Sequence, residues 1–231
     1  MHPLLSLQDI SYAYHNLKGE TPALSNISMQ VSEGEFLAIV GPSGCGKSTL
    51  LSIIAGLLVP ESGIIYYRGL ASTDYRRDSV LKIGYMLQHD HLFEWRTIYQ
   101  NVILGLELNH SLTPDNITYV ETLLREYELY AFKDKRPSEL SGGMRQRAAL
   151  IRTMAIHPEL LLLDEPFKFI RGRARQRLGD MLKAISRRLG IQVVMVADVS
   201  DTGIIPDREF RVGMKWRKSV VEARDPEASD A

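Results

Sequence analysis

The sequence has one cysteine, Cys45, no long apolar run and no net charge. A single cysteine excludes an internal disulfide and a zinc site built from cysteines. No apolar stretch reaches the roughly 18 residues that indicate a membrane-spanning helix. The first residues, "MHPLLSLQDI", lack the basic and long apolar regions of a signal peptide, so we expect a cytoplasmic protein.

The balance of 28 basic and 28 acidic residues gives no overall field that would attract nucleic acid or anionic lipid. We therefore expect no nucleic-acid partner. Hydrophobic residues make up 45% and charged residues 24% of the 231 positions, which is typical of soluble globular proteins. The chain shows no internal repeat and no low-complexity tract, and this length predicts a single functional unit.

Short apolar runs bounded by turn residues predict buried strands, and helical patterns separate several of them. The predicted strands are 36–40, 83–87, 160–163 and 191–197. One predicted helix covers 48–58, and another is marked by the helical spacing of Leu178, Leu182, Ile185 and Leu189. This alternation predicts an α/β fold with a mostly parallel core sheet.

Two segments do not follow the alternating pattern. Residues 113–132 predict a helix that opens with a proline-bearing cap, which suggests a helical subdomain beside the sheet. Residues 5–35 alternate apolar and polar positions around turn signals, which predicts an antiparallel β subdomain.

The segment "GPSGCGKST", residues 41–49, matches the P-loop pattern G-x-x-x-x-G-K-[ST] between a predicted strand and a predicted helix. Its glycines let backbone N–H groups turn toward a triphosphate, Lys47 adds a positive charge, and the Ser48 hydroxyl is a ligand for Mg²⁺. The alternative is a glycine-rich turn that contains a lysine by chance. The expected nucleotide contacts are Gly41, Pro42, Ser43, Gly44, Cys45, Gly46, Lys47, Ser48 and Thr49.

The segment "LLLLDEP", residues 160–166, ends a predicted buried strand in two carboxylates. P-loop nucleoside triphosphatases hold magnesium with the loop hydroxyl and an acid at the end of a neighbouring strand, which predicts this role for Asp164. Glu165 would then orient the attacking water and accept its proton. The alternative is that "DEP" only ends a strand and begins a turn.

The segment "LSGGMRQR", residues 140–147, places a serine and two glycines before a helical pattern. The N–H groups of Gly142 and Gly143, with the helix dipole behind them, would suit an anion. Taken alone, the segment is equally an ordinary N-cap, Ser141, followed by flexible glycines.

In this order, the three motifs resemble those of the nucleotide-binding subunit of an ABC transporter, a P-loop NTPase, over nearly the whole chain. The resemblance implies one ATP-binding domain over residues 1–222, with a helical subdomain at about 90–157 and a flexible tail at 223–231. It implies that Tyr14 stacks on adenine and that Gln88 contacts Mg²⁺ and water. Catalysis would then rest on Glu165, Gln88 and Lys47, and the magnesium ligands would be Ser48, Gln88 and Asp164.

The resemblance also implies partners. Two ATP-binding subunits, in a homodimer or a heterodimer, bind two ATP head to tail, so Ser141, Gly142 and Gly143 would cover the nucleotide of the partner. Residues 89–96 would meet an integral membrane permease, at the inner face of the cell membrane. The wording of "GLLVPESGIIYYRG" is similar to the subgroup that imports nitrate, sulfonate and taurine, systems that also use a solute-binding protein.

The sequence departs from the family's pattern at two positions. The family has an aspartate where this chain has Arg171, and a histidine where it has Ala197. Loss of one preorganised donor typically lowers the rate by about 10²–10³, so the alternative is a subunit that binds ATP but hydrolyses it poorly and acts as a regulatory or heterodimeric partner. The nearby basic run is a solvated helix face, a substitute cation at the dimer seam, or a surface that binds nucleic acid or lipid: Lys168, Arg171, Arg173, Arg175 and Arg177.

Overall fold

A computed structural model describes residues 3–17, 19–72, 81–168, 170, 172–197 and 206–212. The strands among these residues are β1 (Leu5–Asn16), β2 (Gly19–Val31), β3 (Phe36–Val40), β4 (Ser62–Tyr67), β5 (Leu70–Ala71), β6 (Ile83–Met86), β7 (Leu160–Asp164), β8 (Gln192–Ala197) and β9 (Arg208–Arg211). The α-helices are α1 (Lys47–Ile54), α2 (Ile98–Val102), α3 (Leu104–Leu108), α4 (Pro114–Glu126), α5 (Gly142–Met154) and α6 (Gly172–Leu189).

Four strands form an antiparallel sheet in the order β2-β1-β4-β5. The end of β2 alternates strictly, because Ile27, Met29 and Val31 are buried while Ser28 and Gln30 are exposed. Side chains of a strand alternate between its two faces, so one face of this sheet packs on a core and the other meets solvent. The predicted antiparallel β subdomain is confirmed.

Five strands form the parallel sheet in the order β6-β7-β8-β3-β9. Every residue of β7 and β8 is buried. Leu161 and Leu163 of β7 pack in one core, and Leu160 and Leu162 pack in the other. Both faces of the sheet are therefore covered, which explains why its strands are continuous apolar runs rather than alternating ones.

The carboxyl ends of β3, β7 and β8 meet at one edge of this sheet. Val40, the last residue of β3, pairs with Ala197, the last residue of β8. Asp164, the last residue of β7, pairs with Val196. The P-loop follows β3, so the sheet register brings the three chain segments to the same edge, where ligands of open α/β sheets bind.

Helices α2 to α5 lie between β6 and β7 in the chain and pack together over one sheet face, with buried residues such as Val102, Leu123 and Ile151. The Thr113 hydroxyl accepts a hydrogen bond from the Asn116 N–H, and Pro114 occupies the first turn of α4. This is the proline-bearing cap that the sequence predicted, because proline's missing N–H costs nothing in a first turn.

Two predicted helix ends are corrected. The helix predicted at 113–132 ends at Glu126, because Glu128 takes a left-handed backbone conformation and a short 3₁₀ turn follows at Tyr130–Phe132. The helix predicted at 48–58 ends at Ile54, shortly before Gly56, which is also left-handed. The helix predicted from the spacing of four apolar residues is confirmed as α6; Leu178, Leu182 and Ile185 are buried in it, and Leu189 at its end is 41% exposed.

Candidate functional site

The P-loop joins β3 to α1 and depends on glycine at two positions. Gly44 and Gly46 have φ of 80° and 97°, a region that side-chain-bearing residues rarely adopt. A Cβ at Gly46 would also lie 2.5 Å from the carbonyl oxygen of Ala23 in β2, whereas a Cβ at Gly44 would meet nothing within 4 Å. The loop is therefore wound tightly against the antiparallel sheet at Gly46 and is open at Gly44.

Lys47 turns its ammonium group back into the loop. Its Nζ donates to the carbonyl oxygens of Gly41 at 2.6 Å and Pro42 at 2.9 Å, and the residue is only 5% exposed. A buried ammonium is costly unless it is hydrogen-bonded, and these carbonyls satisfy it. The result is a positive charge fixed inside the loop, at the start of α1.

Asp164 lies near Lys47 and Ser48, and one oxygen of its carboxylate is still able to accept a hydrogen bond or bind a cation. The residue is 3% exposed, and its Oδ1 is buried without a hydrogen-bond partner among the described residues. Burial raises the pKa of the Asp164 carboxyl, and a hydrogen bond with Ser48 opposes that shift. Buried polar atoms are nearly always satisfied, so an orphaned carboxylate oxygen beside a serine hydroxyl suits a hard cation such as Mg²⁺.

Glu165 is held by two donors. Gln88 Nε2 lies 2.7 Å and Lys168 Nζ lies 2.8 Å from the same oxygen, Oε2. Burial alone would raise the pKa of the Glu165 carboxyl, but Lys168 and Gln88 together bring it below its usual value. The Glu165 carboxylate is therefore held in its ionised form.

Tyr14 lies beside the P-loop from the antiparallel sheet. Its hydroxyl is 3.0 Å from Thr49 Oγ1, and its ring is met edge-on by Tyr12. Tyr14 is 45% exposed, so its side chain touches the end of the loop through its hydroxyl while much of its surface is open to solvent.

The serine-glycine motif lies elsewhere. The Ser141 hydroxyl accepts a hydrogen bond from the Met144 N–H and caps α5, whose first residues are Gly142 and Gly143. These residues line a groove of about 660 Å³ whose other walls come from the end of α4 and from α6, including Glu128 and Arg177. Within one chain this motif therefore opens onto a different surface from the P-loop.

The segment after Gln88 is tied to α5. Arg145 Nε donates to Asp90 Oδ2 at 3.1 Å, and Arg152 donates to the carbonyl oxygens of Asp90 and His91 at 2.8 Å. Trp95, further along the segment, is 70% exposed. The segment predicted to meet a membrane partner is therefore anchored to α5 through Asp90 and His91, and it carries an exposed aromatic side chain.

Of the two unusual positions, only Ala197 is described. It ends β8 next to the P-loop strand and is 6% exposed, and its methyl group can neither donate nor accept a hydrogen bond. Arg171 lies outside the described residues, as do Asp198 and the predicted tail at 223–231. In the basic run, Lys168 pairs with Glu165, and Arg177 pairs with Glu128 at 2.8 Å.

Sequence reasoning missed the contact between Lys168 and Glu165. It treated the lysine only as one member of a basic run. Glu165 and Lys168 are three positions apart across a turn that contains Pro166. That spacing could have predicted the contact, since side chains three positions apart can lie on the same side of a turn.

In the part of the chain that the structure describes, no helix is both long enough and apolar enough to cross a bilayer.

Comparisons with known proteins place the chain in a family. The ABC transporter family pattern matches residues 24–168. The uncharacterized ABC transporter ATP-binding protein YtlC of Bacillus subtilis is 39% identical over 207 residues, which is 89% of this chain and 78% of that protein. The nitrate import ATP-binding protein NrtD of Synechocystis is 37% identical over 89% of this chain and 76% of that protein.

Among solved structures, a dimeric, post-hydrolysis state of the ATP-binding cassette MJ0796 bound to ADP and Pi superposes with a TM-score of 0.82. It is 28% identical and covers 95% of this chain and 98% of that one. Motifs, fold and relatives agree: the chain belongs to the ABC transporter family and is one of its ATP-hydrolysing cassette subunits.

Proposed function

We propose that this cassette powers the uptake of a small solute, of the nitrate, sulfonate or taurine kind, through a membrane permease. The observation that carries the proposal is that Lys47, Asp164 and Glu165 lie at one edge of the parallel sheet. Each of the three side chains is held by its own hydrogen-bond partners. A relative of 37% identity is named for nitrate import, which supports the solute class.

In this proposal the loop from Gly41 to Thr49 binds the triphosphate of ATP. The open side at Gly44 admits the phosphates, and the Lys47 ammonium offsets their charge. Tyr14 stacks on the adenine with its exposed aromatic ring. Its contact with Thr49 supports that assignment, because it holds the ring next to the loop that binds the phosphates.

Ser48, Asp164 and Gln88 are the proposed magnesium ligands. The orphaned Oδ1 of Asp164 supports the fit, because a bound cation would satisfy that oxygen and favour the ionised form that burial disfavours. When bound, Mg²⁺ neutralises charge on the transferring phosphate. Gln88 lies on Glu165 in this structure, and its contact with the ion is part of the proposal.

Glu165 orients the attacking water. The water oxygen bonds to the γ-phosphorus as the bond to the bridging oxygen of the β-phosphate breaks, and the water's proton passes to the carboxylate. Glu165 is ionised in this structure and therefore able to accept that proton. Gln88 fixes the carboxylate against rotation.

A second cassette completes the site. Ser141, Gly142 and Gly143 open onto a groove between α4, α5 and α6, so they are placed to cover a nucleotide held by a partner rather than their own. We propose that residues 1–222 form one ATP-binding domain in which the helical part, at about 90–157, carries this motif and the permease contact. The assembly would lie on the cytoplasmic face of the membrane, with a solute-binding protein in the same system.

A second candidate is a cassette that hydrolyses ATP slowly and serves as the weaker half of a heterodimer. The observation that favours it is the Ala197 methyl group at the carboxyl edge of β8, where no phosphate contact can form. Arg171 in place of the family's aspartate would act in the same direction by hindering closure of a homodimer.

Uptake of isotope-labelled nitrate and taurine, measured in cells that lack the gene, tests the first proposal. Restoring the wild-type gene should restore uptake of one solute, and restoring Glu165→Gln should not, although both proteins should copurify with the same membrane protein. Equal uptake with and without the gene, or absence of any membrane partner, would contradict the proposal. Uptake that survives Glu165→Gln would point to the weaker-half candidate.

A further inference from the structure

Lys168 and Glu165 are joined through both backbone and side chain. The Lys168 N–H donates to the Glu165 carbonyl oxygen at 3.1 Å, which closes the turn after β7. The same turn brings Lys168 Nζ to 2.8 Å from Glu165 Oε2. The ion pair is therefore built into the turn and does not depend on a distant element.

Glu165 Oε2 also receives the hydrogen bond from Gln88 Nε2 at 2.7 Å. A carboxylate oxygen has two acceptor positions, and these two donors occupy both positions of Oε2. A base can take a proton from water only through an acceptor position that is not already in use. In this arrangement Oε2 has none to offer.

The other charged groups around this carboxylate are bound differently. Lys47 Nζ is held by the carbonyl oxygens of Gly41 and Pro42, and Asp164 is hydrogen-bonded to Ser48. Both belong to the nucleotide cradle. Lys168 comes from the turn after the strand and holds Glu165 directly, while its charge acts on Asp164 as a smaller contribution than the Ser48 hydrogen bond.

We propose that Lys168 is a positioning residue that holds Glu165 on Gln88 and slows basal ATP hydrolysis, because it occupies one of the two carboxylate oxygens and leaves only Oε1 to receive the proton. The inference rests on the proposed role of Glu165 in orienting the attacking water. The restraint on the Glu165 carboxylate would act independently of Ala197, which stands where the family has a histidine.

The restraint is a modest one. The Lys168 side chain is 44% exposed and that of Glu165 is 13% exposed, so water competes for the ammonium while the carboxylate stays largely sheltered. Half-exposed ion pairs are weak, and removing this one should raise the basal turnover rate about two- to fivefold.

The test compares steady-state phosphate release by the purified full chain and its Lys168→Met variant at saturating ATP and magnesium. Methionine matches the length of lysine and lacks the charge. We expect a higher kcat, with a smaller change in the KM for ATP, since Lys168 holds Glu165 directly and acts on Asp164 more weakly than Ser48 does. Lys168→Arg keeps a cation at the same reach and should return kcat to the wild-type level, which a purely structural role of the side chain would not require.

The variant Glu165→Gln and the double variant Lys168→Met/Glu165→Gln distinguish a failure of the Lys168 restraint from a failure of the proposed role of Glu165. Both should release no phosphate above blank. Wild-type turnover in Glu165→Gln would overturn the proposed role of Glu165 itself. If Glu165→Gln is inactive but Lys168→Met has an unchanged or lower kcat, the restraint by Lys168 is wrong and the role of Glu165 stands.

Discussion

Arg145 in the first turn of α5 donates a hydrogen bond from Nε to Asp90 Oδ2 at 3.1 Å. Asp90 lies two residues after Gln88 in the chain. With the two bonds from Arg152 to the backbone of this segment, Arg145 fastens the helix that carries Ser141 to the chain that carries Gln88. A movement of α5 would therefore be transmitted to the carboxylate that Gln88 holds.

Replacing Arg152 tests this connection. Arg152→Met removes the two bonds to the carbonyl oxygens of Asp90 and His91 and should make the segment open more often. Each lost bond from a charged donor is worth about 1.5–3 kcal/mol. Hydrogen–deuterium exchange should become faster in residues 89–92. Arg125→Met, which removes an exposed pair with Glu121, is the control and should leave that exchange unchanged.

Asp164→Asn tests the magnesium site. Asparagine keeps the shape and removes the charge that a cation needs, so Mg²⁺ should no longer strengthen ATP binding. Because burial disfavours the Asp164 carboxylate, the free energy of unfolding without ligand should not fall. Nucleotide titrations with magnesium and with a chelator make the comparison, and a full magnesium effect in the variant would rule Asp164 out as a ligand.

Ala197→His tests the missing imidazole. The new side chain would rise from the end of β8 beside the P-loop strand, where a donor to phosphate is worth about 10²–10³ in rate. Phosphate release should increase, while Ala197→Leu, which adds bulk without a donor, should not increase it. If turnover by Ala197→His stays at the wild-type level, the histidine position does not limit hydrolysis in this chain.

His157 gives a pH dependence of stability. Its ring stacks on Tyr119 at 4.1 Å and its Nε2 is 3.0 Å from Asn116 Oδ1, and burial lowers its pKa below the ordinary value. The unfolded chain therefore binds more protons than the folded chain as the pH falls through about 6.5, and stability is lost in that range.

Urea unfolding at about pH 7.5 and about pH 5.5 measures this loss. The decrease in the free energy of unfolding should be smaller in His157→Gln than in the wild type. His110 is also an exposed histidine, and His110→Gln is the control that should keep the wild-type decrease. An equal decrease in all three proteins would show that His157 does not contribute.

The sequence was sufficient for the parts of the fold that local patterns determine. The apolar run before Asp164 and the glycine spacing of the P-loop predicted a buried strand and a phosphate loop, since both signals lie within a few residues. The break at Glu128 was not predicted, because its left-handed turn carries no glycine to mark it. Likewise, the ties from Arg145 and Arg152 to the segment after Gln88 join positions more than 50 residues apart and leave no local pattern.

The central claim is that the loop around Gly44 and Lys47 binds the phosphates of ATP. Isothermal titration calorimetry with ATP and magnesium tests it most directly, on wild-type protein and on Lys47→Met, with circular dichroism to verify that both are folded. Saturable heat is expected from the wild type and little or none from the variant, because the ammonium that offsets the phosphate charge is gone. Folded wild-type protein that gives no heat, or a variant that binds as tightly as the wild type, would contradict the claim.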